Sequence, residues 1–206
     1  MNLRTPPYPW ALVPLPDIPH HAGVDYGVFQ RRLPVNAESA RAIRDLFVET
    51  IQQESQATRK VIAAVPNNNR DYKPDPKSRS AWEIAVHMAL SDIWFADSIL
   101  NGEFAWTGEP PTPPEMTDPA AVAKWHEKQL GDRLAKLRAM TPEQLLKTVD
   151  FFGTKGPVVT FLAAMNNHMI HHRGQLAAYL RASGSKVPAI YGMSADENLF
   201  AEPQQA

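Results

Sequence analysis

Residues 157–183 read PVVTFLAAMNNHMIHHRGQLAAYLRAS, and this stretch decides the fold class. Val158, Phe161, Leu162, Met165, Leu176, Tyr179 and Leu180 recur at close to 3.6-residue spacing, so they line one face of a helix. Gly184 follows as a stop signal just past its end. Working outward, three further windows carry the same period, at about 36–65, 78–101 and 119–140. Proline interrupts helices, and the clusters at 6–34, 66–76 and 110–119 fall between or at the edges of these windows.

Each window has its own start signal. Asn36 caps the first, with Ser39 three positions on, and the stripe runs through Ile43, Phe47, Ile51, Thr58, Ile62 and Val65. Ser80 caps the second, whose apolar surface extends from Trp82 to Leu100. Asp118 caps the third, with Pro119 in the first helical position and a stripe of Val122, Trp125, Leu130, Leu134 and Leu137. No window alternates with period two, so the reading is all-α, a four-helix bundle. The links at 66–77 and 101–118 are long enough to join helices without simple up-down alternation. Residues 1–35, with seven prolines, read as a Pro-rich N-terminal arm; residues 36–206 read as the bundle with a C-terminal extension.

Composition narrows the function. The chain of 206 residues has 21 basic and 22 acidic side chains, so the basic surplus of a nucleic-acid binder is missing. There is no Cys, which excludes disulfides, thiolate metal sites and a Cys nucleophile. No apolar run approaches the roughly 18 residues that span a bilayer. A cytoplasmic protein, with no nucleic-acid or membrane partner, is the expectation.

Seven histidines carry the chemistry: His20, His21, His87, His126, His168, His171 and His172. A helix advances about 100° per residue, so His168 and His172 project from one face one turn apart. That spacing lets two imidazoles share a metal ion. His171 competes for the role, but the apolar stripe brackets His172 and leaves His171 nearer the outer edge. A third ligand has to come from another helix, and His87 is the best placed. Ile84, His87, Ser91, Trp94 and Ser98 share a face of the second window. His20 and His21 read as a surface pair in the arm, and His126 as exposed on the third helix. Glu54 and Glu83 are candidate general bases, or hydrogen-bond acceptors for a ligating imidazole. Ser91, Trp94 and Gln175 are candidate pocket residues, with Gln175 placed to orient a ligand or substrate.

Three segments, YKPDPKSRSAWEIAVHMALSDIWF (72–95), NGEF (101–104) and NHMIHHRGQLAAYLRASGSKVPAIYG (167–192), together resemble the DinB-like family and its YfiT-type metal-dependent relatives. The resemblance implies an up-down-down-up bundle, with the second and third helices running the same way across a long crossover. It implies a divalent ion, zinc or nickel, on His87, His168 and His172, the three that the helical wheel selects. It also implies a homodimer. Characterised members include S-transferases that use low-molecular-weight thiols, and a thiol-dependent isomerase. The function expected is therefore metal-dependent thiol transfer to a small electrophile. A metal-dependent hydrolase and a non-catalytic, metal-binding stress-response protein are the alternatives.

Overall fold

The computed structural model describes residues 35–197. The Pro-rich arm, apart from its last residue, and the pair His20 and His21 lie outside them. Four long helices form the frame: α1 (Ala37–Ala63), α2 (Ala81–Asn101), α3 (Pro119–Arg138) and, after one short helix α4 (Pro142–Leu146), α5 (Leu162–Ala182). Three of the four long helices start on a side-chain cap. Asn36 with Ser39 and Ser80 with Glu83 form reciprocal capping boxes on α1 and α2, and Asp118 caps α3 ahead of Pro119. Gly102 ends α2 and Gly184 follows α5, both left-handed, at φ +65° and +79°. The last helix starts later than its apolar stripe suggests, because Val158–Phe161 forms a tight 3-10 turn first.

The direction of each helix follows from which residues meet. On α2 and α3, Asp92 pairs with His126 and Asp97 with Arg133, each at 2.9 Å, so both run the same way. On α1 and α3, Arg59 faces Glu127, while Arg44 donates to the Met140 carbonyl beyond the end of α3, so these two are antiparallel. Glu54 meets Arg173, and Ser185 just past α5 donates to the Ala64 carbonyl just past α1, so α1 and α5 are parallel. His87 lies beside His172, and Phe95 beside His168, so α2 and α5 are antiparallel. The result is up-down-down-up, with α1 and α2 each flanked by α3 and α5. Two apolar layers fill the interior. One contains Ile51, Ile99, Leu130 and Met165, the other Ile62, Ile84, Val122 and Leu176.

Two features differ from the sequence reading. A small antiparallel hairpin, β1 (Thr148–Phe151) and β2 (Thr154–Pro157), precedes α5. Its strands are four residues long, too short for an alternating pattern to register. Phe152 and Gly153 both have positive φ, 49° and 89°, as a two-residue hairpin turn requires. The other correction concerns His126. It is fully buried rather than exposed, with Nε2 2.9 Å from the Asp92 carboxylate, which is itself fully buried. His126 sits four residues from both Val122 and Leu130, and so belongs to the inner stripe assigned to Trp125. Burial pushes the Asp92 carboxyl up, and the hydrogen bond to His126 opposes that shift.

This pair joins the two parallel helices, and removing one partner strands the other in the core. Asp92→Ala is expected to cost about 3–5 kcal/mol in urea unfolding. The double replacement Asp92→Leu with His126→Leu recovers much of that loss, because no unpaired polar group remains.

Candidate metal centre

Helix geometry presents the three imidazoles from two rods. His168 and His172 are one turn apart on α5, and His87 faces them from the antiparallel α2. The ring centroids lie 5.3 Å (His87–His168), 4.8 Å (His87–His172) and 4.5 Å (His168–His172) apart. One nitrogen from each ring lies within 4.8 Å of the other two. Bonds of about 2.0–2.1 Å from a metal to imidazole nitrogen place neighbouring donors roughly 3.3 Å apart, within reach of small side-chain rotations. His171 is exposed and is not one of the three, although its ring stands edge-on to His172 at 4.8 Å.

The electrostatics suit lone-pair donation. Burial pushes the His168 imidazole down to about 3, and repulsion from His172 and His87 adds to the effect. Burial also lowers His172, against the opposing effect of the hydrogen bond it donates to Gln175. Both rings are therefore neutral at neutral pH, the form in which imidazole binds a metal ion. Nδ1 of His168 is buried without a hydrogen-bond partner. Nδ1 of His172 donates to Oε1 of Gln175 at 3.0 Å, which leaves Nε2 with a lone pair. This all-nitrogen set could hold a metal ion.

The other expected residues take different places. Glu83 caps its own helix through the Ser80 N–H at 2.6 Å and pairs with Lys73 at 3.1 Å. Glu54 pairs with the buried Arg173 at 2.6 Å and accepts from the Tyr191 hydroxyl at 2.7 Å. Both carboxylates are thus committed to structural partners. Ser91 stands beside the His87 ring at a long 3.4 Å, and Gln175 orients His172. Trp94 is set apart from these two. It packs in an aromatic group with Phe95, Phe104 and Trp106, and donates from Nε1 to the Ala105 carbonyl. It also lines a cleft of about 420 Å3 on the outer side of α2 that extends to Pro110. None of the three imidazoles lines that cleft.

Sequence reasoning missed Glu109, in the link between α2 and α3. Its Oε1 lies 2.9 Å from Nδ1 of His87, and Arg79 holds both carboxylate oxygens at 2.8–2.9 Å. Partial burial works to raise this carboxyl, but the hydrogen bonds from His87 and Arg79 prevail and hold it below the usual range. Nothing periodic marks a residue 22 positions from its partner in an irregular segment. Arg173 and Tyr191, the partners of Glu54, are a further missed pair: Arg173, 1% exposed, bonds Tyr191 as well as Glu54 and lies over the tyrosine ring.

A helical bundle with three convergent histidines on two antiparallel helices is the class that fold and site define. The chain belongs to the DinB family, whose model matches residues 36–204. It is similar to two Bacillus subtilis (strain 168) proteins that carry the description uncharacterized. YrdA is 24% identical over 74% of this chain and 90% of its own length; YjoA is 30% identical over 62% and 82%. The crystal structure of the DinB-like protein YjoA superposes with a TM-score of 0.58 at 27% identity, covering 70% of this chain and 97% of that one. A DinB-like protein from Bacillus cereus superposes at 0.59 with 26% identity, covering 70% and 95%. A DinB family member from Exiguobacterium sibiricum, at 0.54 and 21% identity over 75% and 96%, shares the fold.

His87→Ala, His168→Ala and His172→Ala are each expected to weaken zinc binding by roughly 100-fold or more in a chelator competition, since about 10–16 kcal/mol is spread over the few ligands of a zinc site. His171→Ala leaves affinity unchanged. In the metal-free protein, acid is destabilising. The unfolded His168 takes up a proton near the ordinary imidazole value of 6.5 and the folded one only near 3, so stability falls as pH drops through that window. Thermal unfolding across that range checks the slope, which His168→Gln flattens.

Proposed function

We propose that this protein is a metal-dependent S-transferase that joins a low-molecular-weight thiol to a small electrophile. The observation that carries the reading is the convergence of His87, His168 and His172, with His168 and His172 held neutral, on one point. Three nitrogen ligands leave coordination positions for an exogenous group. A divalent ion there supplies positive charge that stabilises a thiolate over its thiol near neutral pH. In the transfer, sulfur forms a bond to the electrophilic carbon as the bond to the leaving group breaks, and the thiol proton passes to solvent.

The residues of this chain supply the rest. Gln175 holds the His172 ring through its Nδ1 hydrogen bond. Phe95, 5.4 Å from the His168 ring, offers an apolar contact to the electrophile, and Trp94 packs behind it at 4.9 Å. Family resemblance favours thiol transfer over hydrolysis. In the same reading the protein is a homodimer with small-molecule partners. Among the described residues, no helix is long and apolar enough to cross a membrane.

Zinc- or nickel-loaded protein is screened with several low-molecular-weight thiols against activated aryl halides and epoxides. Thiol consumption that depends on the metal and drops at least 100-fold in His168→Ala is the expected result. No thiol-dependent turnover with any pair, alongside metal-dependent ester or amide cleavage, overturns it in favour of a hydrolase.

A further inference from the structure

After Gly102 the chain turns back and runs along α2 toward that helix's N-terminus. Three contacts trace its path. The Ala105 carbonyl accepts from Trp94 Nε1 at 3.0 Å, Trp106 packs edge-on against the Trp94 ring at 5.3 Å, and Glu109 reaches His87 at 2.9 Å. We propose that Glu109 is a positioning residue that holds His87 as the Nδ1–H tautomer and thereby aims its Nε2 lone pair at the space shared with His168 and His172. The inference rests on the reading that these three imidazoles hold a cation.

The argument is one of donors and acceptors. A neutral imidazole has one N–H and one lone pair, and an ionised carboxylate only accepts. With Oε1 of Glu109 at 2.9 Å, Nδ1 of His87 has to carry the hydrogen, and Nε2 is left as the ligand atom. Unlike an amide, a carboxylate cannot reverse this assignment by flipping. Arg79 keeps the carboxylate in place by holding both of its oxygens. His87 has more need of such a guide than its partners. His168 and His172 share one helix and one register, whereas His87 stands alone on α2, with Ser91 at 3.4 Å as its other polar neighbour. A carboxylate on the far nitrogen also makes the imidazole a stronger donor.

The test uses the full chain, labelled with 15N-histidine and metal-free, to read the His87 tautomer from two-bond proton–nitrogen couplings. The same protein then competes with a chelator for zinc. The wild type shows Nδ1–H at His87. Glu109→Leu shifts it toward Nε2–H and weakens zinc binding about 10- to 100-fold. Glu109→Gln, whose amide oxygen still accepts, loses less than the leucine variant. Trp106→Ala loosens the same link without touching the carboxylate and keeps zinc affinity within about threefold. An unchanged tautomer or unchanged affinity in Glu109→Leu overturns the proposal, as does a loss in Trp106→Ala equal to that in Glu109→Leu. If the wild type binds no zinc, the cation reading fails, while the tautomer measurement still decides whether Glu109 directs His87.

Discussion

Three imidazoles brought together inside a protein cannot all be charged, and the surrounding structure follows from that constraint. Burial penalises the imidazolium form, and each ring repels a charge on the others. His168 responds most, pushed down to about 3. Two ways remain to satisfy such a group: share a cation, or donate outward to a neutral or anionic acceptor. The structure prepares both. Gln175 and Glu109 take the outward hydrogens of His172 and His87, so the inward nitrogens present lone pairs.

Presenting them depends on the antiparallel approach of α2 and α5, which the unusual connectivity permits. In a simple up-down bundle α2 and α3 would be antiparallel across a short turn. Here the long link allows them to run the same way, with the polar pairs Asp92–His126 and Asp97–Arg133 holding the register. The first of these is fully buried, so a slip of one residue between the helices would leave two polar groups unpaired in the core. The link does a second task on its way back: it delivers Glu109 to His87. A tight turn in its place could not reach that far.

On the opposite side, α1 contributes no ligand but locks α5. Arg173 follows His172 directly in the sequence, and its guanidinium is buried against Glu54 of α1 and Tyr191 of the C-terminal segment. This fixes the rotation of α5 about its axis, and with it the face on which both histidines stand. Glu54, read from the sequence as a candidate base, serves here as an anchor.

What the sequence by itself determined is what repeats locally. Helix starts at Asn36, Ser80 and Asp118, the stop at Gly184 and the shared face of His168 and His172 all follow from spacing within a few residues, where backbone geometry alone sets direction. The two four-residue strands were illegible because they complete no period. His126 went unrecognised because a polar residue in a core stripe is legible only once its partner Asp92, 34 positions away, is known. The meeting of His87 with Glu109, the withdrawal of Glu54 and Glu83 into ion pairs and the burial of Arg173 were likewise decided by tertiary structure. Each depends on side chains brought together through space by helix packing, and a one-dimensional pattern carries no record of such distances.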